Sequence, residues 1–135
     1  MDETIVVKES LSSEMVEDGA QLLQKLDEMG LPISLAMWFY ISGINEWRLM
    51  FASPESSVTG STKVYEKINE ARRAIGDLSE RLPLLAIGVM GSSHPLVQLF
   101  RTAVKTGPGI SRVRFSRSAV NGHFIDDALI YRIAS

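Results

Sequence analysis

The chain's 135 residues predict one α+β domain in the order α-β-β-α-β-α-β-β, a mixed β-sheet packed with three helices. Two aromatic-rich apolar runs flank Gly43-Ile-Asn-Glu46, which reads as a β-hairpin. Asn121-Gly122 signals a second hairpin near the other end. Between the two, helical and extended patterns alternate. A composition of 45% apolar and 22% charged residues is that of an ordinary globular chain, and the length suits a single domain.

Residues 1–12 are read as a flexible N-terminal arm, with Ile5-Val6-Val7 able to dock as an edge strand, and residues 13–135 as the domain. The first helix opens at an N-cap of Ser12 or Ser13, with Glu14 in its first turn. Val16, Ala20, Leu23, Leu26 and Met29 recur at helical spacing, and Leu22 widens the stripe. Gly30 supplies a left-handed stop and Pro32 prevents continuation.

The first hairpin follows. Ile33, Leu35, Met37, Phe39 and Ile41 share one face of its first strand, and Ala36, Trp38 and Tyr40 the other. With both faces apolar, that strand must be covered on both sides or meet a partner. Ser53 to Gly60 reads as a polar loop. A second helix from Ser61 or Thr62 carries Val64, Ile68, Ala71 and Ile75 inward and ends near Gly76. Asp77 to Pro83 is read as a connection, and Leu84 to Met90 as a strand buried on both faces.

Ser92 or Ser93 is expected to cap a third helix with Pro95 in its first turn. Leu96, Leu99, Phe100, Ala103 and Val104 point inward, and Arg101 and Lys105 outward. Residues 112–119 then alternate, with Val113 and Phe115 opposite Arg112 and Arg114. A two-residue turn at Asn121-Gly122 sets Arg117 across from Asp126, a pair of opposite charge. A three-residue loop would shift that register.

The net charge of −2 is unevenly placed: residues 1–70 hold 12 acids and 5 bases, residues 71–135 hold 4 and 9, and no acid lies between Arg81 and Ile125. Such asymmetry marks either an anionic partner or attraction between the two halves. Arg101, Lys105, Arg112, Arg114 and Arg117 are the anion-binding candidates, expected to form one exposed face apart from the acids of residues 14–28. Arginine grips carboxylate or phosphate bidentately, and Gly107 and Gly109 let a backbone approach a ligand. The competing reading is an edge strand protected by its charges.

Trp38, Tyr40 and Trp47 are candidates for an interface, with an ordinary core as the alternative. No cysteine is present, which removes thiol chemistry, and His94 and His123 lack metal-ligand spacing, so neither metal nor cofactor is expected. Gly88 to Ser93 lacks the second half of a phosphate-binding loop. No apolar run is long enough to span a bilayer and the acidic start is unlike a secretory signal, so a cytoplasmic location without membrane contact is expected.

No complete catalytic set is visible. The expected function is therefore a non-enzymatic binding or regulatory domain acting through protein–protein contact, self-association included. The alternative is a small enzyme or binder for a phosphorylated or nucleic-acid ligand. It would use Arg112 and Arg114 as clamps and His123 or Asp126 for acid–base work.

Overall fold

A computed structural model describes residues 9–134. The expected edge strand at Ile5-Val6-Val7 lies outside the described residues. Five helices occur among them: α1 (Ser13–Glu28), α2 (Ser56–Thr59), α3 (Ser61–Ala74), α4 (Leu78–Arg81) and α5 (Pro95–Ala103). The strands are β1 (Leu35–Ile41), β2 (Glu46–Ala52), β3 (Ile87–Met90), β4 (Val113–Val120) and β5 (His123–Ile133). They form one mixed sheet in the order β3-β2-β1-β5-β4, in which only β2 and β3 run parallel.

The order of the predicted elements holds, and two single-turn helices are added to it. In α2, the hydroxyls of Ser56 and Ser57 close a turn by donating to the carbonyls of Ser53 and Pro54. In α4, Leu78 is fully buried and anchors the turn. One expectation is corrected: β3 is not enclosed by the sheet. Pro83 precedes a 3-10 turn over Leu84–Ala86, Leu85 is 87% exposed, and only Ile87–Met90 extends, at the sheet edge. A continuous apolar run reads as a buried strand, but here its first residues serve the turn.

β1 is central, and both its faces are covered, which explains its two apolar faces. On one face, Ala36, Trp38 and Tyr40 meet Leu22, Leu23 and Leu26 of α1 and Val64 and Ile68 of α3. On the other, Leu35 and Met37 share a core with Val97 and Phe100 of α5. These are the α1 side and the α5 side. The α5 stripe is turned from its expected position: Val97 is buried and Ala103 exposed. Its N-cap is His94, whose Nδ1 accepts from the Leu96 amide at 3.1 Å, in place of Ser92 or Ser93.

α1 docks through polar contacts as well as leucines. Its N-cap is Ser12. The Tyr131 hydroxyl donates to the Val16 carbonyl at 2.6 Å, and Trp38 Nε1 reaches the Met15 carbonyl at 3.1 Å and the Tyr131 oxygen at 3.0 Å. Gly19 leaves the space these two rings need: a Cβ there would lie 2.8 Å from Trp38 Nε1 and closer still to the Tyr131 oxygen.

Burial holds the Tyr131 phenol above its ordinary pKa of 10.0. The unfolded chain therefore loses this proton at lower pH than the folded one. The stabilisation is complete below pH 10.0 and falls as pH rises through the folded value. Tyr131→Phe should flatten the loss of stability above pH 10.0 in denaturant titrations, while lowering neutral-pH stability by about 1 kcal/mol through the lost hydrogen bonds. An unchanged alkaline slope would refute the assignment.

The second hairpin carries a corner. Its register is that of the expected two-residue turn, with Ser116 opposite Asp127 and Ser118 opposite Ile125. Asn121 and Gly122 both take positive φ, 47° and 80°, as that turn requires. Arg117 falls opposite Asp126, but the ladder is interrupted there and Arg117 takes φ 46°. Asp127 faces the α1 side, bonded to Arg114, whereas Ile125 joins the α5-side core, so strict alternation ends at Asp126.

Two hydrogen bonds require the hairpin to bend here. Asn121 Nδ2 donates to Thr102 Oγ1 at 2.5 Å, and the Thr106 amide donates to the Ile133 carbonyl at 3.0 Å. Thr102 and Thr106 can be at most about 14 Å apart along the chain. A straight strand from Asn121 to Ile133 would span about 40 Å. The hairpin tip therefore folds back over the α5 side.

Candidate functional site

The predicted interface aromatics lie inside the chain's own core. Trp38, Tyr40 and Trp47 are 2%, 5% and 4% exposed. Trp47 Nε1 donates to the Glu9 carbonyl at 2.8 Å, its ring packs on Tyr40 at 5.4 Å, and the Tyr40 hydroxyl bonds Asn45 Oδ1. In this conformation the three rings present almost no surface to a partner.

The five basic candidates are divided by the sheet and do not form one face. Arg112 and Arg114 alternate with Val113 and Phe115 as expected, but the side they face holds carboxylates. Arg112 bonds Glu17 of α1 at 2.7 Å. Arg114 grips Asp127 at 2.6 and 2.8 Å, with its guanidinium 5.5 Å from the Trp47 ring centre. Asp127 is 6% exposed and also accepts from Ser116 Oγ at 2.9 Å. Its hydrogen bonds hold the Arg114 pKa above the ordinary arginine value. The expected separation from the acids of residues 14–28 thus gives way to direct pairing.

That pairing extends along α1. Arg81 bonds Asp18 at 3.1 and 3.3 Å, and Arg132 grips Asp27 at 2.7 and 2.9 Å. Three acids of the acidic half thus neutralise three arginines of the basic half. Much of the charge asymmetry is an internal attraction across α1.

Arg101, Lys105 and Arg117 stand apart from this network. Among the described residues they make no ion pair. Arg101 and Lys105 belong to the end of α5 and the residues after it, on the α5 side, and Arg117 sits at the corner of the hairpin that folds over that side.

On the α5 side lies a groove of about 240 Å³, lined by Phe39 of β1, Leu96 and Leu99 of α5, and His123, Phe124 and Ile125 of β5. Phe124 is 69% exposed, while Phe39, Leu96 and Leu99 are half-buried. The corner creates this groove by carrying the tip of β5 over the helix. Sequence reading missed Phe124. The available signal was an aromatic set across the hairpin from the small Ala119, with too little apolar surface opposite to bury it.

The α1 side has clefts of its own. Three, of about 460, 280 and 240 Å³, adjoin Glu9 and Trp47. Their charged walls pair among themselves, as Arg48–Glu46, Arg114–Asp127 and Arg81–Asp18. Glu9, the first described residue, forms one wall, so the chain preceding the clefts lies outside the described residues.

Catalytic geometry is not assembled around the predicted groups. His123 lines the α5-side groove, whereas Arg112 and Arg114 bond acids on the α1 side. His94 is occupied in capping α5. Among the described residues no three His, Asp or Glu side chains group as a metal ion would need. No described helix is long and apolar enough to cross a membrane. No family model, curated protein or solved structure matches the chain.

Proposed function

We propose that the domain is a non-enzymatic binding module that contacts another protein through the α5 side of its sheet. The observation that carries this reading is Phe124, 69% exposed at the lip of a groove in which Phe39, Leu96 and Leu99 are half-buried. An aromatic anchor beside a preformed apolar groove is the arrangement that partner binding covers. The surface differs from the aromatic trio at the first hairpin because those rings already fill the core.

The phosphate or nucleic-acid reading is less favoured. Its two clamp residues, Arg112 and Arg114, already hold carboxylates, and a bound phosphate would have to displace them.

Peptide-display selection on the immobilised full chain tests the proposal. Selected peptides should lose about ten-fold or more in affinity for Phe124→Ser, the loss typical of one interface anchor. They should bind Ile44→Ser normally, since Ile44 is another exposed apolar residue, at the first hairpin turn. Binders indifferent to Phe124→Ser, or equally sensitive to both changes, would overturn the assignment.

A further inference from the structure

The charge around the groove points to the chemistry of its occupant. We infer, resting on the protein-contact reading above, that the α5 side takes an acidic segment of a partner protein carrying apolar anchors. The residues lining the groove include no carboxylate. No acid occurs in the sequence from α5 to the hairpin tip, because the stretch between Arg81 and Ile125 has none. Asp126 follows at the corner, half-buried and engaged in an interaction of its own.

The three cations of this layer, Arg101, Lys105 and Arg117, are the basic candidates that make no ion pair among the described residues, whereas Arg112 and Arg114 are paired with Glu17 and Asp127. Lys105 and Arg117 are exposed and Arg101 half-buried. The groove faces solvent between Leu96 and Leu99 of α5 and Phe124 of the tip. Arg101 lies in the last turn of α5, around the helix from Leu99, and Lys105 follows two residues beyond the helix end. An occupant would therefore put its apolar side chains in the groove and its carboxylates toward the C-terminal end of α5 and the corner.

An acidic protein segment satisfies both features, whereas a nucleic acid satisfies only the charge. Phe124 is the one exposed phenyl ring of the groove, beside a half-buried Phe39, and the two do not make the series of open aromatic platforms on which bases stack. A second copy of this chain is also disfavoured. Three of the five acids of α1, Glu17, Asp18 and Asp27, are already paired with Arg112, Arg81 and Arg132, which leaves only Glu14 and Glu28 of that helix to meet the basic layer of a second copy.

A matched pair of synthetic helical peptides tests the inference. Both carry the same Leu/Phe stripe, with Glu at the remaining positions of one and Lys at those of the other. Titrated into the full chain at low salt, the Glu peptide should bind about ten-fold or more tighter than the Lys peptide. The advantage should shrink as salt is raised, because Lys105 and Arg117 are solvent-exposed and screened. The combined change Arg101→Glu, Lys105→Glu and Arg117→Glu should reverse the preference. Phe124→Ser should weaken both peptides.

Equal binding of the two peptides, or preference for the Lys peptide, would overturn the acidic occupant while leaving the contact surface in place. Binding insensitive to Phe124→Ser would overturn the contact surface itself. A single-stranded oligonucleotide that displaces the Glu peptide at lower concentration would reassign the layer to nucleic acid. Sedimentation as a dimer that Phe124→Ser dissociates would reassign it to self-association.

Discussion

Gly19→Ala should destabilise the protein by about 3 kcal/mol, even though alanine is the better helix former by about 1 kcal/mol. The added Cβ would overlap the Tyr131 hydroxyl and lie 2.8 Å from Trp38 Nε1. Both are ends of rigid rings, buried to within 2% of fully, and both are hydrogen-bonded to the α1 backbone. Neither ring can withdraw without leaving a buried polar group unpaired. Relief must come from α1 lifting off the sheet. Thermal unfolding should drop by about 10 °C. Gly88→Ala is the control: its Cβ would meet only the flexible end of Met50, at 2.7 Å, and should cost far less. Equal stability of Gly19→Ala and wild type would refute the docking of α1 described above.

Asp27→Ala is expected to have a comparable effect, about 3 kcal/mol, by leaving a buried cation without its counter-charge. Arg132 is 4% exposed and grips Asp27 with both terminal nitrogens, at 2.9 and 2.7 Å. Its remaining bonds go to the Gly109 and Ile33 carbonyls, which are neutral. Asp27 is itself 40% exposed in its side chain, which sets the effect at the low end for a buried pair. Replacing both residues, as Asp27→Ala with Arg132→Met, should recover a good part of the loss, because no charge is then buried alone. Urea unfolding of the two singles and the double closes the cycle. Strictly additive losses would show that the ion pair does not couple α1 to β5.

Periodicity carried the element order in this chain, and pairing chemistry did not show in it. The stripe Leu22, Leu23 and Leu26 locates α1, and the double-faced apolar run locates β1 as the central strand. Asn121-Gly122 fixes the register of the last hairpin. What escaped sequence reading depends on contacts between residues far apart in the chain. Arg112 meets Glu17, and Arg132 meets Asp27, across about a hundred positions each. A basic stretch without acids therefore looked like a free surface although its best clamps were already occupied.

Gly19 is similar: within a helix it reads as a weak position, and only the two rings beneath it explain its presence. The corner at Arg117 and Asp126 was hidden because arginine carries no signal for a left-handed backbone. That corner turns Ile125 inward, sets Phe124 at the lip of the groove and thereby builds the candidate site.

The most direct test of the α5-side contact surface is amide hydrogen exchange of the full chain with and without a saturating selected peptide. Protection is predicted at residues 95–104 of and just after α5 and at residues 118–125 of the hairpin tip, with α1 and α3 unchanged. Protection centred on α1 or on the Trp47 clefts, with α5 and the tip exchanging as in the free protein, would contradict it.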